Sequence, residues 1–317
     1  MTISEIAKLA GVSGAAVSRY FNNGYLSEEK REKIEKVVKE TGYHPSPQAQ
    51  MLRTHRTRMV GVILPRIASH SIARVVAGIT EVMNNSDYHI LLADTDNNPD
   101  TELKYMKLFD EKQVDGVILV ATVMTEKHRR RIRKSPVPIV VVGQQSDATD
   151  CVYHDDYHAT YELVELMKEK SRSRIAYIAA FEEDPAVGND RTRGYRDAMA
   201  ELGLDDGTER IVTADFSMAA GREAMDRIFE KYPDSDAVIA ATDTIAVGAL
   251  RSIREHGRTV PGDMLLTGIG YSPISEVTTP TLTTMNYEYE ESGRRDRTDR
   301  DGGFFHGSGT GGDGSYF

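Results

Sequence analysis

The residues with the clearest chemistry lie near the N-terminus, in Ala10-Gly11-Val12-Ser13-Gly14-Ala15-Ala16-Val17-Ser18-Arg19. Gly11 suits the left-handed turn that joins two short helices. The Ser13 hydroxyl is placed to accept from the free amides of the helix that follows. Small residues at Gly14 and Ala15 let that helix sit deep in a DNA major groove, where Arg19 can donate to a guanine edge or a phosphate. Ala10, Val12 and Val17 fall where the two helices would cross. The same ten residues would also serve a helical hairpin that binds nothing, so the flanking elements decide.

Upstream, Thr2-Ile3-Ser4-Glu5 fits a capping box, with Ile6, Leu9 and Ala10 as the expected apolar face of a first helix. Downstream, Ser27 precedes Glu28 and Glu29, acids that suit the positive end of a third helix. That helix should bury Ile34, Val37 and Val38 and stop at Gly42. Three helices in a compact head leave the face of the second exposed. Charge agrees: residues 1–58 hold ten Lys and Arg against six Asp and Glu, while the whole chain carries −10. A basic tip on an acidic protein concentrates affinity for phosphates at the tip.

At 317 residues, with 39% hydrophobic and 28% charged residues, the chain has room for two or three well-packed domains. It has no run of eighteen apolar residues and begins without a signal peptide's apolar core, which argues against membrane insertion and export. Cys151 is the single cysteine, so no internal disulfide forms, as suits a reducing compartment. The expected location is the cytoplasm.

Thr2-Ile3, Ile6-Ala7, Ala10 to Ser13, Val17-Ser18-Arg19, Asn22, Gly42-Tyr43, Pro45, Ala49 and Leu52 together resemble the LacI/GalR family of repressors. The resemblance runs without a gap through the first sixty residues. It implies a helix-turn-helix head over 1–46, with Ser13, Gly14, Ala15, Ser18, Arg19 and Asn22 at the DNA. It also implies a hinge helix and linker over 47–57, in which Ala49 meets DNA and Leu52 is a minor-groove wedge. Independently of the resemblance, Ser46 can cap and Pro47 suits a first helical position, although six residues are too few for a stable isolated helix. Such a helix would form only with DNA and a partner hinge present; an ordinary Pro-rich linker is the alternative.

From residue 58, short apolar runs alternate with amphipathic stretches, from Met59–Leu64 through Cys151–Tyr153 and again from Ile175–Ala179 to Met264–Gly268. Unbroken apolar strands separated by helices imply parallel sheets covered on both faces. The expected fold class is therefore α/β: a three-helix head followed by two doubly wound parallel sheets, which resembles the family's periplasmic-binding-protein-like core. The expected subdomains are 58–157 with 281–295, and 158–280. A cleft between strand carboxyl ends is where such folds bind ligands. Asp243, after the strand Ala237–Ala240, either accepts from ligand hydroxyls or caps the helix behind it. By resemblance, Arg191 is the ligand-gripping arginine, Asp156 a pocket acid at the crossover, and Ser71 and Ile72 mouth positions. Gly268-Ile269-Gly270 departs from the family's pattern, in which an acid follows Gly-Phe or Gly-Tyr, so a different ligand orientation is expected.

Other constellations carry less. His154-Asp155-Asp156-Tyr157-His158 holds metal-ligand types, but neighbours on an extended chain point to opposite faces. His128 to Lys134 reads as a solvated basic helix face. Gly268-Ile269-Gly270 lacks the third glycine of a dinucleotide site. With no nucleophile beside a base, no enzyme activity, cofactor or metal is expected. The leading reading is a ligand-responsive repressor that binds a palindromic operator as a homodimer, with a sugar in the cleft as effector. Within the family, the hinge and Asp94-Thr95-Asp96-Asn97-Asn98 most resemble repressors of sucrose or related oligosaccharide genes. A sugar receptor without regulatory DNA binding, and an α/β enzyme, are the competing classes. The pattern breaks after Arg295: seven of the last sixteen residues are Gly. Residues 296–317 are expected to be a disordered tail; a reading-frame change near Arg295 is the expected cause and a natural flexible tail the competing one, with a repressor inactivated by the frameshift as an alternative reading of function.

Overall fold

The computed structural model describes residues 1–22, 24–44, 56–111 and 114–295. The expected hinge helix, with Ala49 and Leu52, and the expected tail lie outside them. The chain divides into two units, Met1–Thr57 and Arg58–Phe317.

In the first unit, α1 (Ile3–Ala10) opens with the capping box: the Thr2 hydroxyl accepts from Glu5 N and the Glu5 carboxylate accepts from Thr2 N. Gly11 adopts φ +64° and turns the chain. Ser13 then caps α2 (Gly14–Phe21) by accepting from Ala16 N at 3.2 Å. A third helix, α3 (Glu28–Thr41), ends on Gly42 at φ +61°. Ile6, Ala7, Ala10, Ala16, Val17, Ile34 and Tyr43 form the core of this unit. Leu9, expected inside, is 60% exposed. It stands roughly 110° around the helix from the middle of the Ile6–Ala7–Ala10 face, and Ala7 takes its place.

The second unit holds two five-stranded parallel sheets. The first has the order β2-β1-β3-β4-β5, formed by β1 (Met59–Leu64), β2 (His89–Asp94), β3 (Gly116–Val120), β4 (Ile139–Val142) and β5 (Cys151–Val152). Its covering helices are α4 (His70–Asn85), α5 (Pro99–Glu111) and α6 (Glu126–Arg133). The second sheet runs β10-β9-β8-β6-β7, with β6 (Ile175–Ala179), β7 (Ile211–Thr213), β8 (Ala237–Ala240), β9 (Leu265–Ile269) and β10 (Thr283–Met285). Around it lie α7 (Asp156–Glu169), α8 (Arg191–Glu201), α9 (Met218–Lys231), α10 (Asp243–Glu255) and α11 (Pro273–Val277). The central strands β3, β4, β6 and β8 are buried along their whole length, which is why they read as continuous apolar runs.

The segment 281–295, expected in the first subdomain, is divided in the structure. β10 pairs with β9 in the second sheet, from Thr283 opposite Thr267 to Met285 opposite Ile269. Only the segment beyond it, α12 (Tyr289–Arg295), returns to pack on α4. The sequence shows a β-rich run at Thr281–Tyr287 but not its partner, because a short strand fits either sheet edge.

The α4–α12 crossing is close. A Cβ on Gly78 would overlap the Glu290 carbonyl, and one on Gly293 would overlap the Val75 carbonyl. The Arg294 guanidinium flanks the contact, donating to Glu81 at 2.8 Å and to Glu290 at 2.7 Å. Replacing Gly78 by Val should push the helices apart and cost about 1–3 kcal/mol, as overpacking does. Urea denaturation of the full chain measures it; an unchanged midpoint would mean that the helices do not meet there.

Candidate functional site

The exposed side of α2 carries Gly14, Ala15 and Arg19, with Ser18 half-buried and Asn22 exposed beyond the helix end. These positions share one side of the helix, while Ala16 and Val17 on the other are buried. The Asn22 carboxamide donates to the Ser18 carbonyl and so closes the helix C-terminus. No described atom crowds Gly14, which leaves that end of α2 open to close approach.

In the second unit, loops at the carboxyl ends of both sheets enclose a cavity of about 440 Å³. All five candidate ligand residues, Ser71, Ile72, Asp156, Arg191 and Asp243, line it. Arg191 is 3% exposed and begins α8 directly after a π-helical turn, Pro185–Asp190. Its Nε donates to Asp156 Oδ1 at 2.6 Å, and its Nη1 donates to the Ala241 carbonyl. The Tyr287 hydroxyl donates to the same Asp156 oxygen at 3.0 Å. The guanidinium carbon stands 5.1 Å from the Tyr287 ring centroid. Burial pushes the Tyr289 hydroxyl up to about 12 and holds the Tyr287 hydroxyl well above its ordinary value, so both phenols stay protonated. His154 stacks on Tyr287 at 4.8 Å with the rings 4° from parallel. Burial lowers its pKa, which favours the neutral ring, and Nε2 is enclosed without a hydrogen-bond partner among the described residues.

Asp243 takes a third course beside the two the sequence left open. The cap of α10 is Thr242, which accepts from Ile245 N at 3.3 Å. Asp243 Oδ2 accepts from Ser272 N at 2.6 Å and from Ser272 Oγ at 2.9 Å, and Oδ1 accepts from the Thr284 hydroxyl. Its carboxylate therefore ties the loop after β9 and strand β10 to the start of α10. In that loop Gly270 lines the cavity with no side chain, and Tyr271 instead donates to Glu276 at 2.9 Å.

Several wall residues lie outside the five expected ligand positions: Gln144, His154, Asp184, Phe216 and Tyr289. Phe216 follows β7, meets Phe181 edge to face at 5.5 Å and lies 5.7 Å from the Arg66 guanidinium. A signal was available, since Gln144, Asp184 and Phe216 each come within a few residues of a strand's carboxyl end. The 154–158 run divides its ligand types. His154 and Asp156 face the cavity, while Asp155 accepts from His158 N at 3.0 Å and bonds its ring at 2.7 Å. The basic run is not wholly solvated as expected. His128 is buried against Glu102 at 3.1 Å, Arg131 pairs with Asp110, and Arg129 and Arg133 pair with Asp147.

The family model of bacterial regulatory proteins, lacI family, matches residues 2–46. The model of periplasmic binding proteins and the sugar binding domain of LacI family matches residues 57–293. The chain belongs to the LacI family. It is 32% identical to the sucrose operon repressor of Staphylococcus xylosus over 291 residues, 92% of this chain and 90% of that protein. With catabolite control protein A of Priestia megaterium it shares 30% identity, covering 90% and 87% of the two chains. Among solved structures, a complex of the transcriptional regulator CelR with cellobiose matches at TM-score 0.70 and 27% identity, over 93% of this chain and 90% of that one. The lac repressor dimer bound to operator and an anti-inducer matches at TM-score 0.83 and 22% identity, over the same shares, a likeness of fold. This LacI-family protein is a ligand-responsive, DNA-binding regulator of transcription, and its relatives are regulators rather than enzymes.

Within the cavity wall, Asp156 neutralises a buried guanidinium. Replacing Asp156 by Ala should cost about 3–5 kcal/mol, because it strands that charge. Replacing Tyr287 by Phe removes one neutral donor and should cost about 0.5–1.5 kcal/mol. Chemical denaturation of both variants checks the order; equal losses would remove the ion pair from its central place.

Proposed function

We propose that this LacI-family regulator is a cytoplasmic repressor that binds a palindromic operator as a homodimer. In this reading a neutral mono- or oligosaccharide in the cavity controls whether the two 47–57 hinges can pair. The observation that carries it is the cavity itself, about 440 Å³ between the two sheets, within the size range of small-molecule sites. It offers the Phe216 ring as a stacking face and polar groups from Ser71, Asp156, Arg191 and Asp243. Asp243 already accepts from Ser272 and Thr284, so a ligand hydroxyl would share its carboxylate with them or displace one. A sucrose operon repressor among the relatives and a cellobiose complex among the solved structures support a saccharide as the ligand class.

A two-fold dimer would present two α2 helices to successive major grooves. Edge strand β2 supports such an arrangement, since Leu91 is 38% and Leu92 44% exposed and the strand's outer backbone is unpaired within its sheet. Ligand closure of the cleft would then favour one orientation of the first subdomains over another.

The head and hinge provide the test. Arg19→Ala should lower operator affinity by about 1–3 kcal/mol and relax sequence preference, if its contact is bidentate to guanine. Leu52→Ala should weaken specific binding and leave the core's melting temperature unchanged, since it removes a minor-groove wedge and little else. Fluorescence anisotropy on palindromic and scrambled duplexes reads both. Wild-type binding by both variants would overturn the proposed docking.

A further inference from the structure

The hydrogen bonds within the fold account for one oxygen of the Asp184 carboxylate and leave the other. Asp184 is 2% exposed and stands where the chain leaves β6 and enters the π-helical turn ahead of Arg191. Its Oδ1 accepts from Ala186 N and Val187 N, each at 3.1 Å, and from Gln144 Nε2 at 2.8 Å. Those three donors cap the turn and join the second subdomain to the loop after β4 in the first. Asp184 also lines the cavity, and no described residue donates to Oδ2. Arg191, a cation whose charge acts on Asp184, is engaged by Asp156 and Ala241.

A cap of this kind needs one oxygen, which a neutral Asn or Ser supplies equally well. Burial pushes the Asp184 carboxyl above the ordinary carboxylate range, so ionising it here is unfavourable unless donors compensate. What the carboxylate adds over a neutral cap is a second, charged acceptor on a residue that lines the cavity at the seam between the subdomains.

We infer that Asp184 is an effector-recognition residue whose Oδ2 accepts from a saccharide hydroxyl, in a cleft held closed by the Gln144 bond to Oδ1. This rests on the saccharide reading above. A charged acceptor with no donor of its own selects a free hydroxyl over an ether or deoxy position, because an ether or deoxy ligand leaves that oxygen unpaired in the closed cleft. The Gln144 bond makes the same residue sensitive to closure, so ligand binding and subdomain approach favour each other.

Asp184→Asn separates recognition from capping. Its Oδ1 still accepts from Ala186, Val187 and Gln144, while an amide NH2 replaces the second acceptor. The full-length chain and this variant are titrated with sucrose, maltose, cellobiose and trehalose, by thermal shift and by calorimetry. Without sugar, Asp184→Asn should melt at the wild-type temperature or above it, since no charge is then buried. The sugar that stabilises wild type should bind the variant at least about tenfold more weakly. Asp184→Ser, which keeps the cap and lacks the second oxygen, should show the same loss. A purely structural role would instead lower the melting temperature and leave the affinity of the folded protein alone. If both variants bind the sugar as wild type does, Asp184 is a cap only and the inference falls while the saccharide reading stands. If none of the four sugars stabilises wild type, both fall together.

Discussion

The buried ion pair of Arg191 with Asp156 is the constraint around which the cavity is arranged. Removing two charges from water is costly, and the geometry must return that free energy through contact and hydrogen bonds. Here the pair is contributed by the starts of α7 and α8, and Tyr287, just beyond β10, completes it by donating to the same carboxylate oxygen. Three segments distant in sequence are thus fixed at one point of the wall. A displacement of any of them leaves a buried polar group without its partner. His154 stacks on Tyr287 and leans on Tyr289 edge to face, so the aromatic rings beside the ion pair are packed against one another as well.

The parallel sheets explain why the cavity-lining side chains gather where they do. With every strand of a sheet running the same way, all its carboxyl ends open on one side, and the loops there can converge without disturbing the core. Gln144, Asp184, Phe216 and Asp243 each sit a few residues beyond the carboxyl end of a strand. The opposite ends of the strands are free to pack and carry none of these residues. In the head the same division holds on a smaller scale. Buried Ala16 and Val17 fix α2 in place, and the small and cationic residues on its outer side remain available.

Much of the fold was legible because burial and backbone rules act locally. The capping box at Thr2 and Glu5, the left-handed Gly11 and the Ser13 cap follow from spacing alone, and the fully buried strands announce themselves as apolar runs. What sequence missed depends on long-range partners. Leu9 is apolar but lies off the face set by Ile6 and Ala10. β10 reads as a strand, yet only hydrogen bonding assigns it to the second sheet. His128 looks solvated within its basic run until Glu102 is seen beside it. The site divides in the same way. Resemblance supplied Arg191 and Asp156, but neither the tyrosine that completes their pair nor the donors that occupy Asp243 have a signature in spacing. Asp184 follows an acidic pair on a loop, and its environment is set by Gln144, forty residues away in sequence.

An effector response requires that the cavity and the DNA-reading head be two sites coupled by one conformational equilibrium, because a ligand shifts that equilibrium only by its differential affinity for the two states. The most direct measurement is the affinity of the intact chain for a palindromic duplex, by fluorescence anisotropy, with and without a saturating saccharide shown by calorimetry to bind the same preparation. Coupling free energies of about 1–3 kcal/mol are typical, so the account predicts a change in operator affinity of about fivefold or more. A saccharide that binds the protein fully and leaves operator affinity unchanged would contradict it.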